Sequence, residues 1–571
     1  MQDASNSSHS SASPSFAALF TPKLITVLRE GYGLTRLRAD AVAGLTVAVV
    51  ALPLSMAIAV ASGASPAQGL YTAIFGGFLV SALGGSRFQI GGPAGAFIVL
   101  VAATAQAHGM AGLLLATLLS GVMLAVIGWL RLGSLIRLIP YPVTVGFTAG
   151  IALIIFSSQL KSLLGLTFDG KEPGPLLEKL PAIWQALPTA SPITIALSLA
   201  TILIILALRR FTPRLPGMLV AIAVTAAAAT LFGLPVATIG SAFGGIPETL
   251  PMPSLPEMSW GLLIDVLPSA VAFTLLGAIE SLLSAVVADG MTGRRHRANC
   301  ELVAQGAANV ASALFGGICV TGTIARTATN VRAGAVSPIS GMLHSLFLML
   351  FILVAAPLLD YIPLASLAGV LAVVAWNMIE KHAFASLLRA SRGDAAVLLV
   401  TLGLTVFRDL IEGILAGTLL GALLFIQRMS RTVGVAQTPL VPEDVPDDSL
   451  DYHDSGLSPA DPELVVYRLS GAWFFGAATS IESILARVAD GHRGLVLDFA
   501  AVPFIDASAA RALEGVLGAA RHSGVEVALT GTNHDMRRVL FANGVRPPLV
   551  GYERSIEAAV SKLRRTPSSS V

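Results

Sequence analysis

The chain has 571 residues, 54% of them apolar and only 12% charged, where a soluble domain carries about 25% charged residues. A mean hydropathy of +0.77 and 55 glycines exclude a soluble enzyme and a disordered scaffold. A net charge of +2 leaves no basic footprint for nucleic acid, so the chain reads as an α-helical polytopic membrane protein.

Residues 1–15 are rich in Ser and Ala, without the basic start and apolar core of a cleavable signal, and they open an N-terminal tail placed at 1–20. They read as a disordered cytoplasmic tail. From residue 40 to 428 the sequence is nearly continuous apolar segments, and a bilayer-spanning helix takes about 20 such residues. Candidates lie at 40–60, 64–84, 109–130, 140–160, 192–209, 216–234, 262–288, 299–316, 338–358, 363–380, 394–410 and 411–428. Two more, 92–106 and 326–336, are too short or interrupted to cross alone, and they bring the expected total to fourteen. The transmembrane domain is placed at 21–431. With a cytoplasmic N-terminus, the inner side collects Lys23, Arg29, Arg36, Arg38, Arg131, Arg137, Arg209, Arg210, Arg214, Arg294, Arg295, Arg297, Lys381, Arg389, Arg392, Arg428 and Arg431. The outer side receives only Lys161, Lys171, Lys179 and Arg408, with Arg87, Arg326 and Arg332 set aside because they lie in or beside the irregular segments. That asymmetry is what the positive-inside rule requires, and the even count returns the C-terminus to the cytoplasm.

After Arg431 the composition turns acidic and proline-bearing, and 432–462 reads as a linker. Residues 463–571 form a second, soluble α/β domain and C-terminal tail. ELVVYRL, GLVLDFA and VEVALTG are its expected strands, and ATSIESILARVAD, DASAARALEGVLGAARHSG and HDMRRVLFANG its expected helices.

The chemistry is expected in the two irregular segments. Residues 83–105 carry two glycine pairs and Pro93 before a short apolar run. Residues 314–338 carry a glycine pair and a threonine-rich stretch before a short helical run. Each reads as an extended piece leading into a half-helix, and each is third in its half of the chain. Backbone without internal hydrogen bonds cannot face lipid, so it must line a protein cavity, and such a matched pair points to a transport site. Half-helix N-termini meeting near the midplane present unpaired N–H groups that favour an anion. Pro93 suits a first helical turn, with small Ala94, Gly95 and Ala96 beside it. Arg326, at the start of the later half-helix, is costly at membrane depth and requires a negative partner, either a substrate or a structural acid. Glu280 stands mid-span among apolar residues. It reads as the carrier of a coupling proton, as a sodium ligand, or as a permanent partner of Arg326. Asp289 and Glu301 read as interface residues, and His344 as a bundle histidine able to relay protons. No histidine pairing suggests a metal, no phosphate-binding glycine loop suggests ATP, and Cys300 and Cys319 read as buried hydrophobes.

The stretch LPLSMAIAVASGASPAQGLYTAIFGGFLVSALGGSRFQIGGPAGAF, together with NVRAGA, resembles the SulP anion transporters, the sulfate-permease family. AIESLLSAVVADGMTGRRHRANCELVAQGAANV is similar to that family's bacterial C4-dicarboxylate transporters. The resemblance implies fourteen segments in two inverted seven-segment repeats, divided into core and gate, in a homodimer of the bacterial inner membrane. It places the anion site at Leu54 and Ile58, at Pro93 and Ala94, and at Ala325, Arg326 and Thr327, with Glu280 as the ion-coupling residue. Animal members carry glutamine and phenylalanine at the positions of Leu54 and Ile58, and phenylalanine at that of Ala94. The smaller wall here suits a longer organic anion, so proton-coupled uptake of fumarate, succinate or aspartate is the expectation. Sulfate, then bicarbonate, follow it, and an uncoupled exchanger, a channel and a membrane sensor are the rival readings. No enzyme activity and no cofactor beyond a coupling proton or sodium ion is expected. The C-terminal domain resembles STAS domains, which implies a cytoplasmic protein partner. PFIDASAARAL matches the regulators' phosphorylation region at Asp506 and Ser508, with alanines at 507 and 509. Ser508 is therefore a candidate regulatory site, set beside a helix-capping role for Asp506 or Ser508.

Overall fold

The computed structural model describes residues 19–133, 139–168, 176–212, 215–247, 249–408, 410–430, 434–437, 464–474 and 493–565. It forms two compact units, Met1–Thr418 and Leu419–Val571. Most of the expected tail and linker, and the expected helix at 478–490, lie outside the described residues.

A short helix α1 (Lys23–Arg29) precedes α2 (Leu34–Ala61), which continues through Pro53. Helix α3 (Pro66–Leu83) starts on a capping box: Ser65 and Gln68 satisfy each other's backbone N–H, and Pro66 fills the first turn. The chain then runs extended through strand β1 (Gly91–Gly92) and a 3-10 turn (Gly95–Phe97) into α4 (Ile98–Trp129). Gly109, at φ 69°, breaks α4, at the first residue of the second of the two expected segments, 92–106 and 109–130. Helices α5 (Tyr141–Leu164), α6 (Pro192–Phe211) and α7 (Gly217–Leu231) complete the first half.

The second half runs through α8 (Trp260–Thr292), α9 (Ala298–Leu314), β2 (Thr321–Gly322) and α10 (Ile324–Arg332). It continues with α11 (Ile339–Leu359), α12 (Leu364–Met378), α13 (Arg392–Phe407) and α14 (Leu410–Ser430). Among the described residues, nine helices are long and apolar enough to cross a membrane.

The helices pack in two groups. One joins α2, α3, α4, α8, α9, α10 and α11, and the other joins α5, α6, α7, α12 and α13. In the first group α4 and α9 cross at paired glycines. A Cβ on Gly121 would lie 2.7 Å from the Gly306 carbonyl, and one on Gly306 2.5 Å from that of Gly121. Small residues let helix backbones approach this closely, and dispersion then holds them without a hydrophobic drive from water.

In the second unit, strands β3 (Gly434–Gln437), β4 (Leu464–Ser470), β5 (Gly494–Ala501), β6 (Glu526–Thr530) and β7 (Gly551–Tyr552) form one sheet in that order. β3 is antiparallel to β4, and the other pairings are parallel. β3 falls inside the expected linker, so residues 434–437 of it belong to the sheet. Helices α15 (Ala507–His522), α16 (His534–Ala542) and α17 (Ile556–Arg565) complete the unit. Alternate residues of β4 and β5 serve two cores. Val465, Tyr467, Leu495 and Leu497 pack with α15 residues, and Leu464, Val466 and Val496 with Val560 and Leu563 of α17. This two-faced burial is why these strands read as continuous apolar runs.

Candidate functional site

The irregular segments meet. β1 and β2 pair antiparallel, Gly91 opposite Gly322 and Gly92 opposite Thr321, and the Thr323 amide extends the ladder by donating to the Ile90 carbonyl at 3.0 Å. Each strand leads directly into a half-helix, so the two helix N-termini face one another inside the first unit. At the second N-terminus the first helical bond runs from the Thr327 amide to the Thr323 carbonyl at 3.0 Å. The amides of Ile324, Ala325 and Arg326 precede it and point out of the helix end. Ile324 and Ala325 are exposed there, whereas Ala94, the N-cap of the first half-helix, is 5% exposed.

Arg326 sits behind this junction at 2% exposure. Its Nη2 donates to Ser55 Oγ and to the Pro93 carbonyl, both at 3.2 Å, tying α10 to α2 and to the first irregular segment. Nε and Nη1 are buried with no hydrogen-bond partner, and among the described residues no carboxylate lies within 4 Å of the guanidinium. A Cβ on Gly92 would overlap Nη1, so the guanidinium is seated on bare ribbon backbone. A buried charge of this kind costs several kcal/mol, and each unmade donor about 1–3 kcal/mol more. His344 on α11 is also fully buried, with neither ring nitrogen partnered.

Other expected site residues fall differently. Leu54 and Ile58 are buried in the same core cluster as Ala94. Pro93 lies before the N-cap rather than in the first turn, and it contributes a carbonyl to Arg326. The Thr327 hydroxyl is occupied: it accepts from Ser284 Oγ of α8 at 3.0 Å and from the Ile90 amide at 3.1 Å. At 0% exposure it fastens the half-helix and is not available to a ligand. Glu280 is half-buried on α8, with no hydrogen bond or ion pair among the described residues, so it is no closed partner of Arg326. Next to it, Ile279 and Leu283 begin the wall of a cavity of about 660 Å³ between α8 and the start of α5, which ends at Asp289, Arg294, Arg295 and His296.

Two carboxylates missed by sequence reading hold the loops around the half-helices. Glu301, read as an interface residue, is fully buried, and its Oε2 accepts from the amides of Gly85 at 2.8 Å and Ser86 at 3.0 Å. Asp40 on α2 accepts from the Val336 amide at 2.8 Å, the Ser337 amide at 3.1 Å and the hydroxyls of Ser337 and Tyr32. Asp289 likewise bonds His296 through Nδ1 at 2.7 Å. The loop amides that Glu301 and Asp40 bind lie more than 200 residues away in sequence, so only the acid's place at the end of an apolar span hinted at them. Cys300 and Cys319 are buried, as read.

In the second unit Asp506 caps α15, accepting from the Ala509 amide at 2.8 Å, and Ser508 is exposed beside it.

Antiparallel half-helices meeting over a buried, acid-free arginine, within a polytopic helical fold, define a membrane transporter for anions. The chain belongs to the sulfate permease family, which it matches over residues 37–401, and it matches the STAS domain over 458–558. It is 39% identical over 518 residues to "Putative sulfate transporter YvdB" of Bacillus subtilis (strain 168), covering 90% of this chain and 95% of that one. It is 32% identical over 518 residues to the bicarbonate transporter BicA of Picosynechococcus sp. (strain ATCC 27264 / PCC 7002 / PR-6), covering 88% and 90%. The murine Slc26a9 anion transporter in the inward-facing state shares the fold, with a TM-score of 0.84 over 98% of this chain and 97% of that one at 18% identity. The protein is thus a multi-pass anion transporter with a C-terminal STAS domain. The two sequence relatives are named for sulfate and bicarbonate, not for the dicarboxylates that the sequence resemblance suggested.

Proposed function

We propose that the protein moves a small inorganic oxyanion, of the sulfate or bicarbonate class, by alternating access of one helix group against the other. The observation that carries this reading is Arg326: two buried donors with no partner, fixed at the meeting point of two helix N-termini. An anion arriving at Ala94, Ile324 and Ala325 neutralises that charge and receives the unpaired amides, so binding relieves the desolvation cost instead of adding to it. The relatives named for sulfate and bicarbonate support the small oxyanion over a dicarboxylate. A single guanidinium also matches one anionic group better than two separated ones.

Fourteen segments in two inverted repeats, with both ends cytoplasmic, complete this reading. The basic mouth at Arg294 and Arg295 then opens to the cytoplasm. Glu280, unpaired and beside the cavity, carries the coupling proton or places a sodium ion.

The test is uptake of labelled sulfate, bicarbonate and fumarate into proteoliposomes, with and without an inward proton or sodium gradient, for the wild type and Glu280→Gln. Gradient-stimulated sulfate or bicarbonate uptake that loses its stimulation in Glu280→Gln, while exchange persists, supports the reading. Uptake of fumarate alone restores the dicarboxylate assignment. Oxyanion flux indifferent to every gradient and to the substitution leaves an uncoupled exchanger or channel.

A further inference from the structure

The cavity between α8 and α5 is built unlike the anion site. Its wall is a single face of α8, where Ile279, Leu282, Leu283 and Val286 recur at helical spacing, with Ile139 opposite before the start of α5. Its mouth carries Arg294 and Arg295, both exposed, whose side chains make no ion pair among the described residues. The acid at that end, Asp289, is already held by His296 at 2.7 Å, and Glu30, whose charge also acts on Arg294, is ion-paired to Arg87, so among the described residues neither guanidinium has a carboxylate partner of its own. At about 1.5 Å per residue the apolar wall from Ile279 to Val286 rises about 10 Å, enough for the headgroup-proximal half of a phospholipid acyl chain, and the mouth lies beyond it.

Apolar depth with a cationic rim is the wrong lining for a hydrated inorganic anion and the right one for an anionic amphiphile. We propose that this crevice holds an anionic phospholipid of the surrounding bilayer, its acyl chain along Ile279–Val286 and its phosphate on Arg294 and Arg295. Arginine suits the phosphate because its planar fork donates two parallel hydrogen bonds. Long basic side chains at a helix end also reach naturally to headgroup level. The occupant wedges one helix group against the other beside Glu280, so it slows the movement that transport requires. The binding claim stands without the transport reading, and the effect on uptake rests on it.

The experiment is native mass spectrometry of the full chain with phosphatidylglycerol, phosphatidylcholine or inorganic phosphate added, for the wild type, Arg294→Gln/Arg295→Gln and Leu283→Glu. The expected result is retention of phosphatidylglycerol at least tenfold over phosphatidylcholine in the wild type, with no retained inorganic phosphate. Each variant is expected to lower that retention about tenfold. Equal retention of the two lipids, or undiminished phosphatidylglycerol in the double variant, overturns the proposal. Retention of inorganic phosphate equal to that of the lipid overturns it in favour of a free-anion site. If Leu283→Glu fails to fold, the surface double variant alone decides the matter. Uptake in vesicles with and without phosphatidylglycerol then separates the two claims. Lipid that binds without slowing uptake removes the wedge and leaves the site.

Discussion

The membrane unit holds its buried charges in two contrasting ways. At the loops flanking the half-helices, Glu301 and Asp40 are saturated: each carboxylate accepts two backbone amides and at least one side-chain donor. Where the half-helices meet, Arg326 keeps two nitrogens unpartnered and His344 both. A saturated buried charge is finished and can only hold structure. An unsaturated one has been desolvated without compensation, and a ligand makes up the deficit. Burial alone does not separate the two cases; the hydrogen-bond inventory does.

The sharpest way to break this contrast is to remove Arg326. Arg326→Gln is expected to reduce anion uptake about a hundredfold or more, since it deletes charge-assisted hydrogen bonds of about 1.5–3 kcal/mol each. The melting temperature should hold or rise, because an uncompensated charge has gone. Gly92→Ala comes next. The added methyl displaces Nη1 and is expected to raise the anion KM about tenfold, as uptake titrations will show, with little loss of stability.

The saturated side predicts the opposite pattern. Glu301→Ala strands the Gly85 and Ser86 amides at about 1–3 kcal/mol each. Thermal unfolding in detergent should fall by several degrees, while the KM of surviving protein is unchanged. In the second unit, Asp506→Ala is expected to cost about 1 kcal/mol of unfolding free energy through lost capping, and Ser508→Ala nothing measurable. The smallest effect is at Glu30, whose carboxyl is held below its usual range by the hydrogen bond from Arg87. A lowered folded-state value stabilises above the unfolded value and is lost as pH falls through the folded one. A pH series of melts should therefore show Glu30→Gln slightly less stable than wild type at neutral pH and indistinguishable in strong acid.

Much of this was legible in the sequence for a definite reason. Gly-Gly pairs, Pro93 and the threonine-rich run near 321 interrupt apolar periodicity, and interrupted backbone inside a membrane must be enclosed. The meeting of those two segments and the burial of Arg326 follow from that rule. What stayed hidden depended on partners distant in sequence. Thr327 resembled a ligand residue, yet its hydroxyl is taken by Ser284 and the Ile90 amide. Glu301 resembled an interface acid, yet the two backbone amides it binds lie more than 200 residues earlier. β3 escaped because four residues after a helix carry too little alternation to stand out, and pairing with β4 defines them.

The most direct test of the central claim is equilibrium binding of sulfate, bicarbonate and fumarate to the purified protein, comparing wild type with Arg326→Gln and Arg326→Lys. If the unsaturated guanidinium is the anion's partner, one of these anions binds the wild type, and Arg326→Gln loses at least a hundredfold in affinity at an unchanged or higher melting temperature. Lysine, without the planar fork, should restore little. Wild-type affinity in Arg326→Gln would contradict the account, because the buried charge would then be serving the fold alone.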